Sequence, residues 1–217
     1  MRNTDDILDK MEELFPNAHC ELHHTNAVEL VIAVVLSAQT TDEAVNKVTP
    51  ALFEAFPTLD DYEKADLEEI EHYIKRIGLY HNKARHIKKL THQLKYEYKG
   101  EVPSSMTELI KLAGVGRKTA NVVQSVWFDI PAFAVDTHVD RISKRLGLAK
   151  PEDDVVKVEE KLKRKIKRDR WNDGHHLFIF FGRYFCTARN PKCEECPFTS
   201  ICKKEKLDEY KESLKKK

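Results

Sequence analysis

Residues 112–121 read LAGVGRKTAN, placing Gly114 and Gly116 directly before Arg117 and Lys118 in a chain with only 7 glycines in 217 residues. Glycine permits positive φ and lets another backbone come close. A tight turn that opens into a helix aims N–H groups outward, and the helix dipole there favours an anion. The stretch is therefore a phosphate-binding device. It is not a P-loop, because Arg117 stands where the second glycine of that motif belongs and no strand precedes it.

Helix–GVG–helix matches instead the helix–hairpin–helix that grips a nucleic-acid backbone without reading its sequence. Lys118 follows the turn, and a lysine amine attacks a sugar carbon to give a Schiff base once it has lost its proton. The helix N-terminus, Arg117 and partial burial are the expected means of favouring the neutral amine. Asp136, in AVDTHVDR, has the chemistry to accept that proton or to stabilise positive charge developing on the sugar. A phosphate-binding lysine and an aspartate that only caps the helix at Thr137 and His138 are the plainer alternatives.

A third group is the run CTARNPKCEECPFTSIC, in which Cys186, Cys193, Cys196 and Cys202 have the spacing C-x6-C-x2-C-x5-C. Four thiolates hold either zinc or an iron–sulfur cluster, and spacing alone does not choose between them. Structural zinc sites usually show two C-x2-C pairs, whereas this run has one. Disulfides are the remaining option, though a cytosolic chain would keep them reduced. Cys20 stands apart and is expected to be an ordinary buried thiol. Arg183, Arg189 and Lys192 lie in or beside the run, as contacts to a DNA backbone or as counter-charge to surface carboxylates.

The elements that must position these groups are helical throughout. Ile7, Leu8, Met11 and Leu14 mark a first amphipathic helix stopped by Pro16. Asn26 caps a buried helix running through LVIAVVL to about Ser37. Thr41 opens another, with a kink or early break expected at Pro50. A helix bearing Leu67, Ile70, Ile74 and Ile77 has Gly78 as its expected C-terminal cap, and Asn82 is expected to cap the next. Ser104 or Ser105 starts a short helix, and further helices are expected near 117–127, 137–146, 155–168 and 174–185. No hairpin dipeptide lies between alternating strands, so the fold class is all-α.

Charge does little to identify a partner. Lys plus Arg number 37 against 36 Asp plus Glu, so any basic surface must arise from local segregation. Residues 157–170 hold eight cations and three acids, which reads as a solvated helix face or as an added contact to a phosphate backbone. The longest apolar run, Leu30–Leu36, falls far short of the ~20 residues that span a bilayer. The charged start MRNTDDILDK lacks a signal-peptide core. A soluble, cytoplasmic protein with no membrane partner is expected.

Taken together these features resemble the endonuclease III family, bifunctional DNA glycosylases and abasic-site lyases of base excision repair. The likeness covers residues 25 to about 202, including LSAQTTD, IGLYHNKA, LAGVGRKTANVV, AVDTH and the cysteine run. It implies two helical domains: a six-helix barrel with the hairpin at residues 20–130, and an iron–sulfur domain at residues 1–19 and 131–217 carrying a [4Fe-4S] cluster on the four cysteines. It implies Lys118 as nucleophile, Asp136 as catalytic carboxylate and Gly114 and Gly116 as DNA-binding turn residues. Gln39 would fill the gap left by a flipped nucleotide, and Leu79 would wedge the opposite strand. The implied partner is double-stranded DNA with a damaged pyrimidine or an abasic site, met by a monomer associated with the nucleoid. Many family members have Pro where Ala113 stands, so a less rigid hairpin entrance is expected. A monofunctional relative would lack the lysine, and a module that only binds DNA would not need Lys118 and Asp136 together.

Overall fold

The computed structural model describes residues 3–215, and among them it contains helices and no strand. In chain order the helices are α1 (Thr4–Leu14), α2 (Ala27–Leu36), α3 (Asp42–Asn46), α4 (Thr49–Ala55), α5 (Leu59–Lys64), α6 (Leu67–Ile74), α7 (Tyr80–Glu97), α8 (Met106–Leu109), α9 (Arg117–Val126), α10 (Thr137–Arg145), α11 (Val155–Lys165), α12 (Trp171–Phe180) and α13 (Lys204–Lys215). The chain falls into two compact units, Glu21–Ile130 and Met1–Cys20 with Pro131–Lys217.

The contiguous unit is organised around α2. Leu30 through Leu36 are all buried, and a helix that is apolar all round has no face to give to water. Each such side chain contributes about 1.5–3 kcal/mol by leaving water. Asn26 caps the helix, its side-chain oxygen accepting from the Glu29 N–H at 2.9 Å, so one of the first-turn N–H groups finds a partner. Around α2 pack α3, α7 and α9. The break expected at Pro50 separates α3 from α4, with the proline in the first turn of α4, where its missing N–H is harmless.

Two local expectations are corrected in this unit. Helix α6 ends at Ile74, before Gly78, and the left-handed residue that turns the chain is Leu79, at φ 59° and ψ 26°. Helix α7 then starts at Tyr80, so Asn82 lies inside it and its carboxamide oxygen accepts from Arg85 rather than capping. The acidic stretch after Phe56 forms α5, which Thr58 and Asp61 close with a reciprocal capping box.

The second unit draws on both ends of the chain. Leu8 and Met11 of α1 share a core with Phe133, Phe178, Phe181 and Phe198. Phe133 meets Phe178 edge-on at 6.1 Å and Phe181 meets Phe198 edge-on at 5.1 Å. Helix α12 begins at Trp171, three residues earlier than expected, and continues as a π turn over Phe181–Phe185. Neither α13 nor this wider turn follows from sequence periodicity, since α13 buries only Leu207.

Candidate active site

The hairpin turn is held from three sides, and its two glycines have different reasons. Gly114 adopts φ +78°, and a Cβ there would stand 3.0 Å from both His86 Cβ and Val35 Cγ1. Only glycine suits both the left-handed backbone and the close approach of α2 and α7. Gly116 is extended, φ −94° and ψ 179°, and caps α9 without any side-chain hydrogen bond. A Cβ on it would meet nothing within 4 Å. The first turn of α9 thus presents its N–H groups over an open surface, the geometry a phosphate requires.

The entrance to this turn is firmer than the alanine suggested. The Ala113 N–H donates to Gln93 Oε1 at 2.9 Å, while Gln93 Nε2 donates to the Lys111 carbonyl at 3.2 Å. One carboxamide from α7 therefore clamps the loop at two points, using an N–H that a proline would lack.

Lys118 is the second residue of α9 and is exposed, so the partial burial expected for it is not found. Asp136 belongs to the other unit and is the N-cap of α10. Its Oδ1 accepts from the His138 and Val139 N–H groups at 2.9 and 2.8 Å, and its Oδ2 lies 3.0 Å from His138 Nδ1. Capping therefore uses one oxygen, and the second faces an imidazole. His138 is itself pinned, because a Cβ on Gly182 would come within 2.9 Å of His138 Cβ.

Gln39 and Leu79 share an unusual backbone. Both are non-glycine residues at positive φ, 55° and 59°, and both are exposed, Leu79 by 54%. Left-handed non-glycine residues cost about 1–3 kcal/mol each and collect where function requires them. A large apolar side chain held out in water on such a backbone is costly twice over.

The π turn ends at the first of the clustered cysteines, the Cys186 N–H donating to the Phe181 carbonyl at 2.7 Å. Arg145, buried at 3% exposure, reaches across from α10. Its guanidinium donates to Cys186 Sγ at 3.1 Å and to the carbonyls of Cys186, Thr187 and Ala188 at 3.3, 2.8 and 3.3 Å. Its own carbonyl accepts from the Lys203 N–H at 2.6 Å, just past Cys202. One residue thus ties both ends of the run. None of the five cysteines is in a disulfide, and Cys20 is half-buried rather than buried. Burial raises the Cys196 thiol above its ordinary value, a hydrogen bond from the Phe198 backbone opposes this, and the thiols of Cys186, Cys202 and Cys193 raise it further. Among the described residues no three His, Cys, Asp or Glu side chains gather tightly enough for a single metal ion.

Comparison with known proteins decides what these parts belong to. The model of the HhH-GPD superfamily base excision DNA repair proteins matches residues 32–168, and that of the iron-sulfur binding domain of endonuclease III matches residues 186–202. Endonuclease III of Bacillus subtilis is 54% identical over 196 residues, 90% of each chain. The chain belongs to the endonuclease III family. Endonuclease III of Escherichia coli is 43% identical over 94% of this chain and 96% of its own. A solved structure of a trapped endonuclease III–DNA covalent intermediate superposes with a TM-score of 0.91 at 53% identity, covering 96% of this chain and all of that one. A thermostable thymine-DNA glycosylase, at 23% identity and TM-score 0.82 over 94% of this chain and 96% of its own, shares the fold.

Like other endonuclease III proteins the chain carries a [4Fe-4S] cluster, and the matched iron-sulfur domain begins at Cys186 and ends at Cys202. A four-iron cluster takes four cysteine thiolates, and this segment offers four cysteines, none of them in a disulfide. Four of the eight cations in the basic run that looked like a further contact are paired within their own unit. Lys161 pairs with Asp153, Lys163 with Glu159, Lys167 with Asp5, and Arg170 with Asp9 and Glu12. No helix among the described residues is long and apolar enough to cross a membrane.

Gln93 and Arg145 were missed in the sequence because their partners lie 18 to 43 residues away. Thermal melting should separate the two glycines. Gly114→Ala should lose about 2 kcal/mol or more from strain and overlap, whereas Gly116→Ala should melt within about 0.5 kcal/mol of the parent. Equal melting of the two variants would show that the turn is not seated as described.

Proposed function

We propose that Lys118 is the nucleophile and Asp136 the catalytic carboxylate of this base-excision repair enzyme, a bifunctional DNA glycosylase and abasic-site lyase acting on double-stranded DNA. One observation carries the reading: an exposed primary amine sits on the first turn of α9, beside N–H groups opened by Gly116. A phosphate seated on those N–H groups brings a sugar to the amine. Proximity of this kind supplies much of the barrier lowering in bimolecular steps.

The target nucleotide must leave the base stack before C1′ becomes reachable. Gln39 fills the gap it leaves, and Leu79 wedges the opposite strand. Lys118 Nζ attacks C1′ of an oxidised pyrimidine nucleotide, and the base departs with the bonding electron pair and takes up a proton. The new C1′–N nitrogen then loses a proton, and the C1′–O4′ bond opens with O4′ protonated, which leaves the Schiff base. Removal of a C2′ proton then expels the 3′ phosphate by β-elimination and cuts the strand. Asp136 offsets positive charge as it builds on the sugar and takes a proton through Oδ2, while Oδ1 keeps α10 capped. The cluster, held by Cys186, Cys193, Cys196 and Cys202, fixes the loop that bears Arg189 and Lys192. We place the protein with the nucleoid, where its substrate lies.

Lys118→Ala should abolish borohydride trapping on abasic DNA yet bind that DNA within about tenfold of the parent, since N–H groups supply the phosphate contact. Trapping that persists would move the nucleophile elsewhere. Asp136→Asn should melt normally, because the amide still caps α10, while single-turnover excision of thymine glycol falls ~10²–10⁴-fold. Normal excision would leave Asp136 a cap and nothing more. Purified protein should be brown and contain about four irons per chain; one zinc and no colour would sink the cluster assignment.

A further inference from the structure

Lys83 is 3% exposed, yet it is not part of the chemistry described above. Its Nζ donates to Thr40 Oγ1 at 2.6 Å, across 43 residues of sequence. Burial holds its amine below the ordinary lysine value. No ion pair with a carboxylate accompanies it among the described residues. Burying an ammonium against a single hydroxyl costs stability, and an apolar side chain of the same length would avoid that cost.

The placement of Lys83 shows what it does. Its backbone N–H donates to the Leu79 carbonyl at 3.0 Å, closing the first turn of α7 directly behind the left-handed residue. Its side chain ends on Thr40, the neighbour of Gln39, and the Thr40 hydroxyl lies 3.5 Å from the Ala38 carbonyl on the other side of Gln39. The other hydrogen bonds of that loop are local, Ala38 N–H to Val35 and Thr40 N–H to Ser37. Two strained, exposed residues on separate loops are thus joined through one buried lysine. Strain of this kind persists only where the surroundings over-determine it.

We propose that Lys83 is a positioning residue that locks Gln39 and Leu79 into one geometry, so that gap-filling and wedging occur as a single insertion into the duplex. This rests on the roles given to Gln39 and Leu79 above. The lysine stabilises the relation between the two loops at the expense of the fold's overall stability.

Lys83→Met tests it, since methionine keeps the length of the stem and removes the charge. The variant should melt at or above the parent temperature. Single-turnover excision of thymine glycol from a paired duplex should fall roughly 10- to 100-fold, the cost of a small misplacement. β-Elimination at an abasic site in single-stranded DNA, which has no opposite strand to wedge, should fall far less. Combining it with Thr40→Val should slow duplex excision no more than Lys83→Met does alone, because both remove one contact. Unchanged duplex excision overturns the proposal, as does an equal loss on both substrates or a loss accompanied by lower melting. Gln39→Ala and Leu79→Ala, run alongside, keep the two ideas apart. If neither slows duplex excision selectively, the insertion roles themselves fail; if both do and Lys83→Met does not, only the lysine's part fails.

Discussion

The fit of Gly114 between the Val35 and His86 side chains, with no room for a Cβ, is the constraint on which the hairpin end of the contiguous unit depends. Val35 lies near the C-terminal end of α2, shortly before Gln39, and His86 lies in the second turn of α7, after Leu79. The hairpin turn itself leads into Lys118. Seating one glycine between these two side chains therefore brings three helix ends to one place. Packing this close leaves little room for the loops to shift independently, because protein interiors resist deformation. The Gln93 clamp and the Lys83–Thr40 contact act on the same cluster of ends.

Much of this was legible in the residues and some was not, for identifiable reasons. Helix periodicity, the Asn26 cap, the Ser105 cap and the break at Pro50 are local signals, and local signals carried the all-α fold. The GVG turn and the cysteine spacing were legible too, since each is written within twenty residues. Gly78 misled because a glycine is the usual place for a left-handed residue, whereas here Leu79 takes that conformation. Asn82 misled because asparagine is a favoured N-cap, whereas α7 already starts at Tyr80. Lys118 turned out exposed because nothing in a sequence records how much surface a neighbouring loop covers. Arg145, Gln93 and Lys83 have no local signature at all: each is a polar side chain whose meaning depends on a partner in another element.

The charge pattern changes meaning in the same way. A run of cations from Lys157 to Arg170 suggested a surface for an anion, yet several of its members hold α1 and the turn before α11 in place. Exposed pairs of this type contribute little individually, but Arg170 joins two carboxylates of α1 and fixes its angle on α12. With a formal charge of +1, the protein has little long-range field to draw it to a polyanion, and its grip must come from N–H groups and a few local cations.

The split chain of the second unit bears on how the molecule is made. Helix α1 leaves the ribosome first, but α12, against which it packs, is synthesised some 150 residues later. Glu21–Ile130 is one continuous compact unit, so it is free to fold during translation, before the rest of the other unit has been made. Until α12 emerges, Leu8 and Met11 lack Leu177 and Phe178, part of the core they share in the folded unit. The cysteine run is translated later still, so iron loading follows synthesis of the hairpin unit.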